Sequence, residues 1–168
     1  MTETTFRRAA ESDIDGIMTI IRQAVNQMLR EGKHQWDDTY PQRCHIADDI
    51  ARGCGYVMCR GGRLAAYGAV VFSGEPAYNS IRGQWLSGGR YVVLHRLAVA
   101  DEIKGQGVAA RFMAEVERMA VEKGVSSFKV DTNHDNTRMQ RVLRKLGFTY
   151  CGVISYPKGE RMAYEKPL

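Results

Sequence analysis

The sequence has no long apolar run, and it has few of the residues that build metal or disulfide frameworks. No stretch reaches the roughly 18 consecutive apolar residues of a membrane-spanning helix, and the opening MTETTFRRAAESD lacks the apolar core of a signal peptide. The four cysteines form no CxxC pair and have no histidine cluster nearby, which argues against a zinc site or a disulfide framework. We therefore expect a cytoplasmic protein with reduced thiols, no bound metal ion and no membrane contact.

No feature of the sequence divides the chain into parts. The 168 residues contain no internal repeat, no low-complexity tract and no linker. Apolar residues make up 44% and charged residues 26%, as in a soluble globular domain with its own core. The net charge of +5 suits an anionic ligand, but the chain has no basic run and no stacking-aromatic motif for nucleic acid. We predict one domain over residues 1–168 and no nucleic-acid partner.

The hydrophobic period alternates between that of a strand and that of a helix. A strand over residues 4–8 precedes an amphipathic helix that ends near Arg30, and Ser12 with Asp15 resembles a capping box at its start. Gly61 and Gly62 mark the turn of a hairpin. Further elements are predicted as helices over 44–52, 107–123 and 135–146, and strands over 91–100, 126–131, 148–155 and 161–166. Segments 32–43 and 73–90 are predicted to be irregular, and the second is long enough to be functional.

A glycine turn begins the predicted helix over 107–123, in the stretch DEIKGQGVAARFM. Backbone N–H groups at a helix start have no partner within the helix, and the helix dipole adds partial positive charge there. Glycine lets that backbone approach a ligand closely, so Gly105 and Gly107 favour a pyrophosphate site. A plain strand-to-helix loop remains the alternative.

A dinucleotide-binding turn is another alternative, because Gly105, Gly107 and Ala110 satisfy G-x-G-x-x-A and Asp131 ends the next predicted strand. However, four residues separate the preceding strand from Gly105, whereas that fingerprint turns directly off the strand. Only 37 residues follow Asp131, too few for the second half of a doubly wound sheet. This interpretation is the weaker one.

Two motifs resemble those of the Gcn5-related N-acetyltransferase superfamily. The stretch HRLAVADEIKGQGVAARFM resembles its acetyl-CoA signature, a strand followed by [RQ]-x-x-G-x-[GA], with Lys104, Gly107 and Ala109 at the defined positions. Downstream, NTRMQRVLRKLGF resembles the superfamily's second motif helix, with matches at Asn136, Gly147 and Phe148. The resemblance is strong over residues 91–153.

The resemblance implies an α/β (mixed α+β) fold, with helices flanking a mixed, mostly antiparallel sheet whose central strand is splayed. It implies an acetyl-CoA-dependent N-acetyltransferase that releases CoA and has a small-molecule amine or peptide as acceptor. It also implies a set of cofactor-binding residues: main-chain contacts to pantetheine from Leu97, Ala98 and Val99, pyrophosphate contacts from Lys104, Gly105, Gln106, Gly107, Val108 and Ala109, and a pantetheine contact from Asn136.

Two positions depart from the family pattern. Lys104 replaces the usual Arg or Gln, so it offers a point charge rather than a planar fork. Leu143 stands where many relatives carry a tyrosine that protonates the departing thiolate. Tyr150 is another candidate, but nothing in the sequence places its hydroxyl, and the acid stays unassigned. A non-catalytic acyl-CoA-binding module therefore remains an alternative function.

His95 is the candidate general base, because an ammonium substrate must lose a proton before its nitrogen attacks. It lies two residues before Leu97, on the same face of a regular strand. Aralkylamine acetyltransferases of the same superfamily carry a histidine at this offset. A structural histidine is the alternative.

The acceptor pocket in this family is built from the first two helices, their connection and the loop before the central strand. The aromatic residues of those segments are candidate substrate-binding walls: Trp36, Tyr40, Tyr78 and Trp85. Asp37 or Asp38 offers a charge for a cationic amine, and Asp131 either reaches the reacting end or caps the next loop. Packing of irregular loops explains the aromatics equally well. The identity of the amine, the acyl length and the oligomeric state, a homodimer included, stay open.

Overall fold

The structure is a computed structural model that describes residues 2–168. Within this range it has four α-helices, α1 (Ile14–Arg30), α2 (Arg43–Ala51), α3 (Val108–Glu122) and α4 (Thr137–Lys145). The eight strands are β1 (Thr4–Arg8), β2 (Gly55–Arg60), β3 (Arg63–Val71), β4 (Arg82–Gly83), β5 (Val92–Val99), β6 (Ser127–Thr132), β7 (Thr149–Tyr156) and β8 (Gly159–Pro167). The chain forms two compact units. The first contains the described residues up to Val70 together with His95–Glu115, and the second contains Val71–Leu94 and Val116–Leu168.

The first unit is built on an antiparallel meander. β1 pairs with β2, and β2 pairs with β3 across the hairpin predicted at Gly61 and Gly62. β5 lies next to β3 in the strand order, and directly after β5 the Ala100 N–H donates to the Ala65 carbonyl at 2.9 Å. Helix α1 buries the apolar stripe that its sequence spacing predicts, in a core made of residues such as Ile17, Ile20, Ile21, Val25, Trp36, Ile46, Val57 and Tyr67.

The second unit contains the other half of the sheet. β5 and β6 run parallel, with Val92 opposite Phe128 and Val93 opposite Lys129. β8 pairs antiparallel with both β6 and β7, and β7 also pairs with the two-residue strand β4. Glycines allow the last pairing: a Cβ on Gly83 would overlap the Cys151 carbonyl, and one on Gly152 would overlap the Arg82 carbonyl.

The pairings give the strand order β1-β2-β3-β5-β6-β8-β7-β4. Only the β5–β6 pair is parallel among those described, and its register covers just two positions although β6 continues to Thr132. The mixed, mostly antiparallel sheet and the short central pairing confirm the predicted α/β (mixed α+β) fold with a splayed strand.

Three local predictions differ from the structure. The Ser12–Asp15 capping box is wrong: α1 begins at Ile14, and the carboxylate of Asp13 accepts the Ala10 N–H at 2.7 Å. The segment 73–90 is less irregular than predicted, because it contains a 3-10 turn over Pro76–Ser80 as well as β4. Helix α4 starts two residues later than predicted, since Asn136 caps it.

No helix within residues 2–168 is both long enough and apolar enough to span a membrane. In the same range, no group of three or more His, Cys, Asp or Glu side chains is arranged to hold a metal ion.

Candidate active site

The glycine turn lies between β5 and α3, entirely within the first unit. A short 3-10 turn over Asp101–Ile103 leads into it. Gly105 has φ +77° and Gly107 has φ +76°, left-handed conformations that L side chains rarely adopt. A Cβ built on either glycine meets no atom within 4 Å, so both positions border open space. The backbone shape of the turn therefore requires these glycines.

The amide groups of this turn are free to bind a ligand. In the part of the chain that the structure describes, the N–H groups of Gly105, Gln106, Gly107, Val108 and Ala109 donate no hydrogen bond. They stand at the positive end of the α3 dipole, a combination that binds phosphate groups. This cluster of unpaired donors beside open space fits the pyrophosphate of a CoA ester.

Basic side chains lie next to the turn. Arg60 donates from Nη1 to Oε1 of Gln106, and both residues line a small cavity together with Arg111. The ammonium of Lys104 pairs with Oδ1 of Asp101 at 2.6 Å and also donates to Oε1 of Gln27. Lys104 therefore pairs with a carboxylate in this structure, and its contact with phosphate remains a prediction.

Strand β5 contains the predicted base, His95, and the residues predicted to contact the cofactor through their main chain, Leu97–Val99. The backbone is irregular between them, at Arg96. Arg96 has φ +56°, a rare conformation for a non-glycine residue that costs on the order of 1–3 kcal/mol. Side chains alternate between faces only along regular strand, so this residue interrupts the repeat that put His95 and Leu97 on one face. His95 and Leu97 are partly buried, and Ala98 is buried.

A buried ion pair holds Arg96 in place. Its guanidinium donates to both carboxylate oxygens of Asp49 on α2, with Nε 2.9 Å from Oδ2, and from Nη1 to the Tyr40 hydroxyl at 2.9 Å. The hydroxyl of Tyr67 on β3 also donates to Asp49. The Arg96 and Asp49 side chains are 18% and 4% exposed. Burial by itself would lower the pKa of Arg96, but hydrogen bonds and the negative charge of Asp49 outweigh it, so the pKa is raised.

Sequence reasoning missed this network. Asp49 follows an exposed aspartate in a short, polar helix, and no local signal distinguishes the two. The one available hint was an arginine, next to His95, among the apolar residues of a strand, since a buried charge needs a partner.

A second polar cluster lies in the second unit, centred on Asp131 of β6. The hydroxyls of Tyr78 and Tyr156 both donate to Oδ2 of Asp131, at 2.7 and 2.9 Å. Burial first, and then the charge of Asp131, raises the pKa of each phenol, so both remain protonated donors at neutral pH. Sequence reasoning named Asp131 and Tyr78 separately, and it gave no reason to join them.

Aromatic rings surround a buried lysine on the same strand. Lys129 is 3% exposed, and its ammonium lies 4.3 Å from the Trp85 ring centre and 4.0 Å from that of Tyr91. The Trp85 indole N–H donates to the carbonyl of Tyr78 at 2.9 Å. Burial lowers the pKa of Lys129.

The four aromatic residues predicted to bind substrate are divided between the units. In the first unit Trp36 is 6% exposed within the core, and Tyr40 takes part in the Arg96 network. In the second unit Tyr78 is 1% exposed and packs against Trp85. The burial of Trp36 favours a packing role over substrate binding. Tyr78 belongs to the Asp131 cluster.

Helix α4 lies in the second of the two sequence motifs, NTRMQRVLRKLGF. Oδ1 of Asn136 accepts the Met139 N–H at 3.2 Å, so this side chain caps the helix. Leu143 is fully buried, and Tyr150 on β7 is half exposed. The contact of Asn136 with pantetheine stays a prediction, and the buried Leu143 cannot protonate a leaving group.

Comparison with known proteins supports the assignment that this geometry favours. The chain matches the Acetyltransferase (GNAT) family over residues 21–148. It is similar to the crystal structure of an acetyltransferase of the GNAT family from Streptococcus agalactiae 2603, with 36% identity, a TM-score of 0.89, and coverage of 98% of this chain and 95% of that chain. A GNAT-family acetyltransferase from Listeria monocytogenes 4b F2365 has 20% identity and a TM-score of 0.78, with the same coverage of both chains.

A third similar structure, yncA from Salmonella typhimurium with its cofactor acetyl-CoA, has 16% identity and a TM-score of 0.69 over 98% of this chain and 94% of that chain. No curated protein sequence matches the chain.

The chain belongs to the acetyltransferase (GNAT) family. Its cofactor is acetyl-CoA, and the activity of the family is acetyl-CoA-dependent acetyl transfer. The dinucleotide interpretation of the glycine turn is therefore abandoned.

Proposed function

We propose that residues 1–168 form one N-acetyltransferase domain that acetylates the primary amine of a small molecule or a peptide. The observation that carries the proposal is the glycine turn, with its unpaired N–H groups at the start of α3. Bound acetyl-CoA supplies an activated acetyl thioester, and the amine nitrogen attacks it directly. The products are the acetylated amine and CoA.

The residues of the turn bind and orient the cofactor. The N–H groups from Gly105 to Ala109 stabilise the two negative charges of a pyrophosphate. The backbone of Leu97, Ala98 and Val99 lies on the strand that leaves β6 after two pairs, which leaves peptide groups for the pantetheine arm. Ordered hydrogen bonds of this kind fix the thioester for attack.

His95 is the proposed general base. A neutral imidazole has an unprotonated ring nitrogen that can accept a proton from an ammonium. The proton moves from the acceptor nitrogen to the imidazole, directly or through a water. With Leu143 buried, the departing thiolate takes its proton from water, which is adequate because an ordinary thiol pKa is about 8.5.

Thiol release over a panel of primary amines tests the function. We expect release of CoA with at least one amine and formation of the matching acetamide by mass spectrometry. Tight binding of acetyl-CoA without release for any amine would instead support a non-catalytic acyl-CoA-binding module, which the leucine at position 143 also permits.

The pH dependence of His95→Ala tests the base. Loss of a general base lowers kcat by about 100- to 10,000-fold, with little effect on acetyl-CoA affinity. The acidic limb of kcat/KM is measured for both proteins with two amines of different basicity. If the variant keeps its rate and the limb follows the amine in both proteins, His95 is structural.

A further inference from the structure

We propose that Arg60 is the principal cationic side chain that binds the phosphate groups of acetyl-CoA, with Arg63 and Arg111 beside it. Arg60 and Arg63 belong to the β2–β3 hairpin, which lies outside both sequence motifs. The inference concerns the first unit alone, which contains all three arginines and the glycine turn. It rests on the part of the proposed function that places the cofactor at this turn, and it does not depend on the acceptor.

The end of the hairpin places two arginines opposite each other. Arg60 of β2 pairs in register with Arg63 of β3, and directly opposite residues of an antiparallel pair project from the same face. Arg60 also lines a small cavity together with Gln106, Val108 and Arg111, so this face borders the glycine turn and the start of α3. Like charges directly opposite each other destabilise a pair of strands. The folded chain therefore holds together cations that repel one another.

No carboxylate of the described chain neutralises these cations. Within residues 2–168, none of the three arginines forms an ion pair with an aspartate or a glutamate. Their one side-chain hydrogen bond in this range joins Nη1 of Arg60 to Oε1 of Gln106, at 2.5 Å. Gln106 is neutral and lies between the two glycines of the turn, so this contact holds the guanidinium beside the turn and leaves its charge intact. An anionic ligand at the turn would offset the repulsion between the arginines.

Lys104, by contrast, already has a carboxylate partner. Its ammonium lies 2.6 Å from Oδ1 of Asp101, and it also donates to Oε1 of Gln27 on α1. A phosphate contact from Lys104 has to compete with this ion pair, whereas Arg60 has only a neutral amide to share. A guanidinium can also donate two parallel N–H bonds to one phosphate, which an ammonium cannot. We therefore expect Arg60 to contribute more to acetyl-CoA affinity than Lys104 does.

Calorimetric titration with acetyl-CoA tests this order in Arg60→Gln and Lys104→Gln, each of which removes one charge. We expect Arg60→Gln to lose about tenfold or more in affinity, as for one charge-assisted hydrogen bond, and Lys104→Gln to stay within about threefold of the wild type. Arg52→Gln is the control, because it makes the same change in net charge at an exposed residue that ends α2 and pairs with Asp48. This control should bind acetyl-CoA like the wild type.

Titration with CoA and with 3′-dephospho-CoA identifies the phosphate group that Arg60 contacts. A loss of affinity in Arg60→Gln that is confined to CoA assigns Arg60 to the 3′-phosphate, and an equal loss with both probes assigns it to the pyrophosphate. Either result supports the proposal. Because salt screens charges near the surface, the affinity of the wild type should also fall more steeply with added salt than that of Arg60→Gln.

Arg60→Lys separates binding from structure. It keeps the charge, so it should bind acetyl-CoA more tightly than Arg60→Gln does. Equal affinities in these two variants, with matching losses in Tm, would show that the contact with Gln106 only supports the turn and would overturn the proposal. An affinity of Arg60→Gln within about threefold of the wild type would also overturn it, as would a larger loss in Lys104→Gln.

The titrations contain no amine, so they remain informative if the proposed function fails. A wild type that binds acetyl-CoA and acetylates no amine would refute the proposed function, and the comparison of Arg60→Gln with Lys104→Gln would still decide this inference. A wild type that binds neither acetyl-CoA nor CoA would refute the inference itself.

Discussion

Replacing Asp49 by alanine should destabilise the first unit strongly, because it removes the carboxylate that pairs with Arg96. The variant leaves a guanidinium that is 18% exposed without its counter-charge, and a fully buried Tyr67 hydroxyl without its acceptor. Breaking a buried ion pair from one side costs about 3–5 kcal/mol, and an orphaned buried hydroxyl costs about 1–3 kcal/mol. The two effects share one carboxylate and are not additive, so we expect a total loss of about 4 kcal/mol.

Urea unfolding measures this loss, with Asp48→Ala as the matched control. Asp48 lies next to Asp49 on α2 and pairs with Arg52 at 3.0 Å, but the two side chains are 57% and 73% exposed. An exposed pair of this kind contributes less than about 1 kcal/mol. With an m-value of about 2 kcal/mol/M, Asp49→Ala should lower the unfolding midpoint by about 2 M. If Asp49→Ala loses no more stability than Asp48→Ala, the network does not stabilise the fold.

Two further predictions concern one side chain and one backbone contact. Asp13 accepts hydrogen bonds from Arg7, which lower the pKa of Asp13 from its ordinary value of 3.8. The pair therefore stabilises the protein above pH 3.8, and this stabilisation is lost as the pH falls through the pKa of Asp13 in the folded protein. The Tm difference between wild type and Arg7→Gln should therefore be larger at about pH 6 than at about pH 2, and an equal difference at both would refute the assignment. Gly83→Ala should lower the unfolding free energy by about 1–3 kcal/mol, because its Cβ would overlap the Cys151 carbonyl, whereas Gly88→Ala in the same loop meets open space and should change little.

The sequence predicts regular elements well because each one carries its signal locally. The stripe of α1 and the hairpin glycines Gly61 and Gly62 depend on residues only a few positions apart. The glycine turn can be predicted for the same reason. Gly105 and Gly107 both adopt positive φ, a conformation that glycine favours, so the two residues themselves indicate the turn.

The polar networks were beyond sequence reasoning because their members meet only in the folded chain. Asp49 and Arg96 are 47 residues apart, and Asp131 and Tyr78 are 53 residues apart. No residue near Arg96 in the sequence indicates its left-handed conformation. Because side chains alternate between the two faces only along a regular strand, the face of His95 cannot be predicted from that of Leu97 across this residue.

Calorimetric titration with acetyl-CoA of the wild type, Gly107→Val and Gly124→Val tests the central claim that the glycine turn binds the cofactor. Gly124 is the control, because it also has positive φ, at +70°, and also borders open space, but it follows α3 rather than preceding it. Valine imposes comparable backbone strain at both sites and places a branched side chain against the cofactor only at Gly107. We predict that Gly107→Val loses at least about tenfold in acetyl-CoA affinity while Gly124→Val binds like the wild type. Equal affinity in a folded Gly107→Val protein would contradict the account.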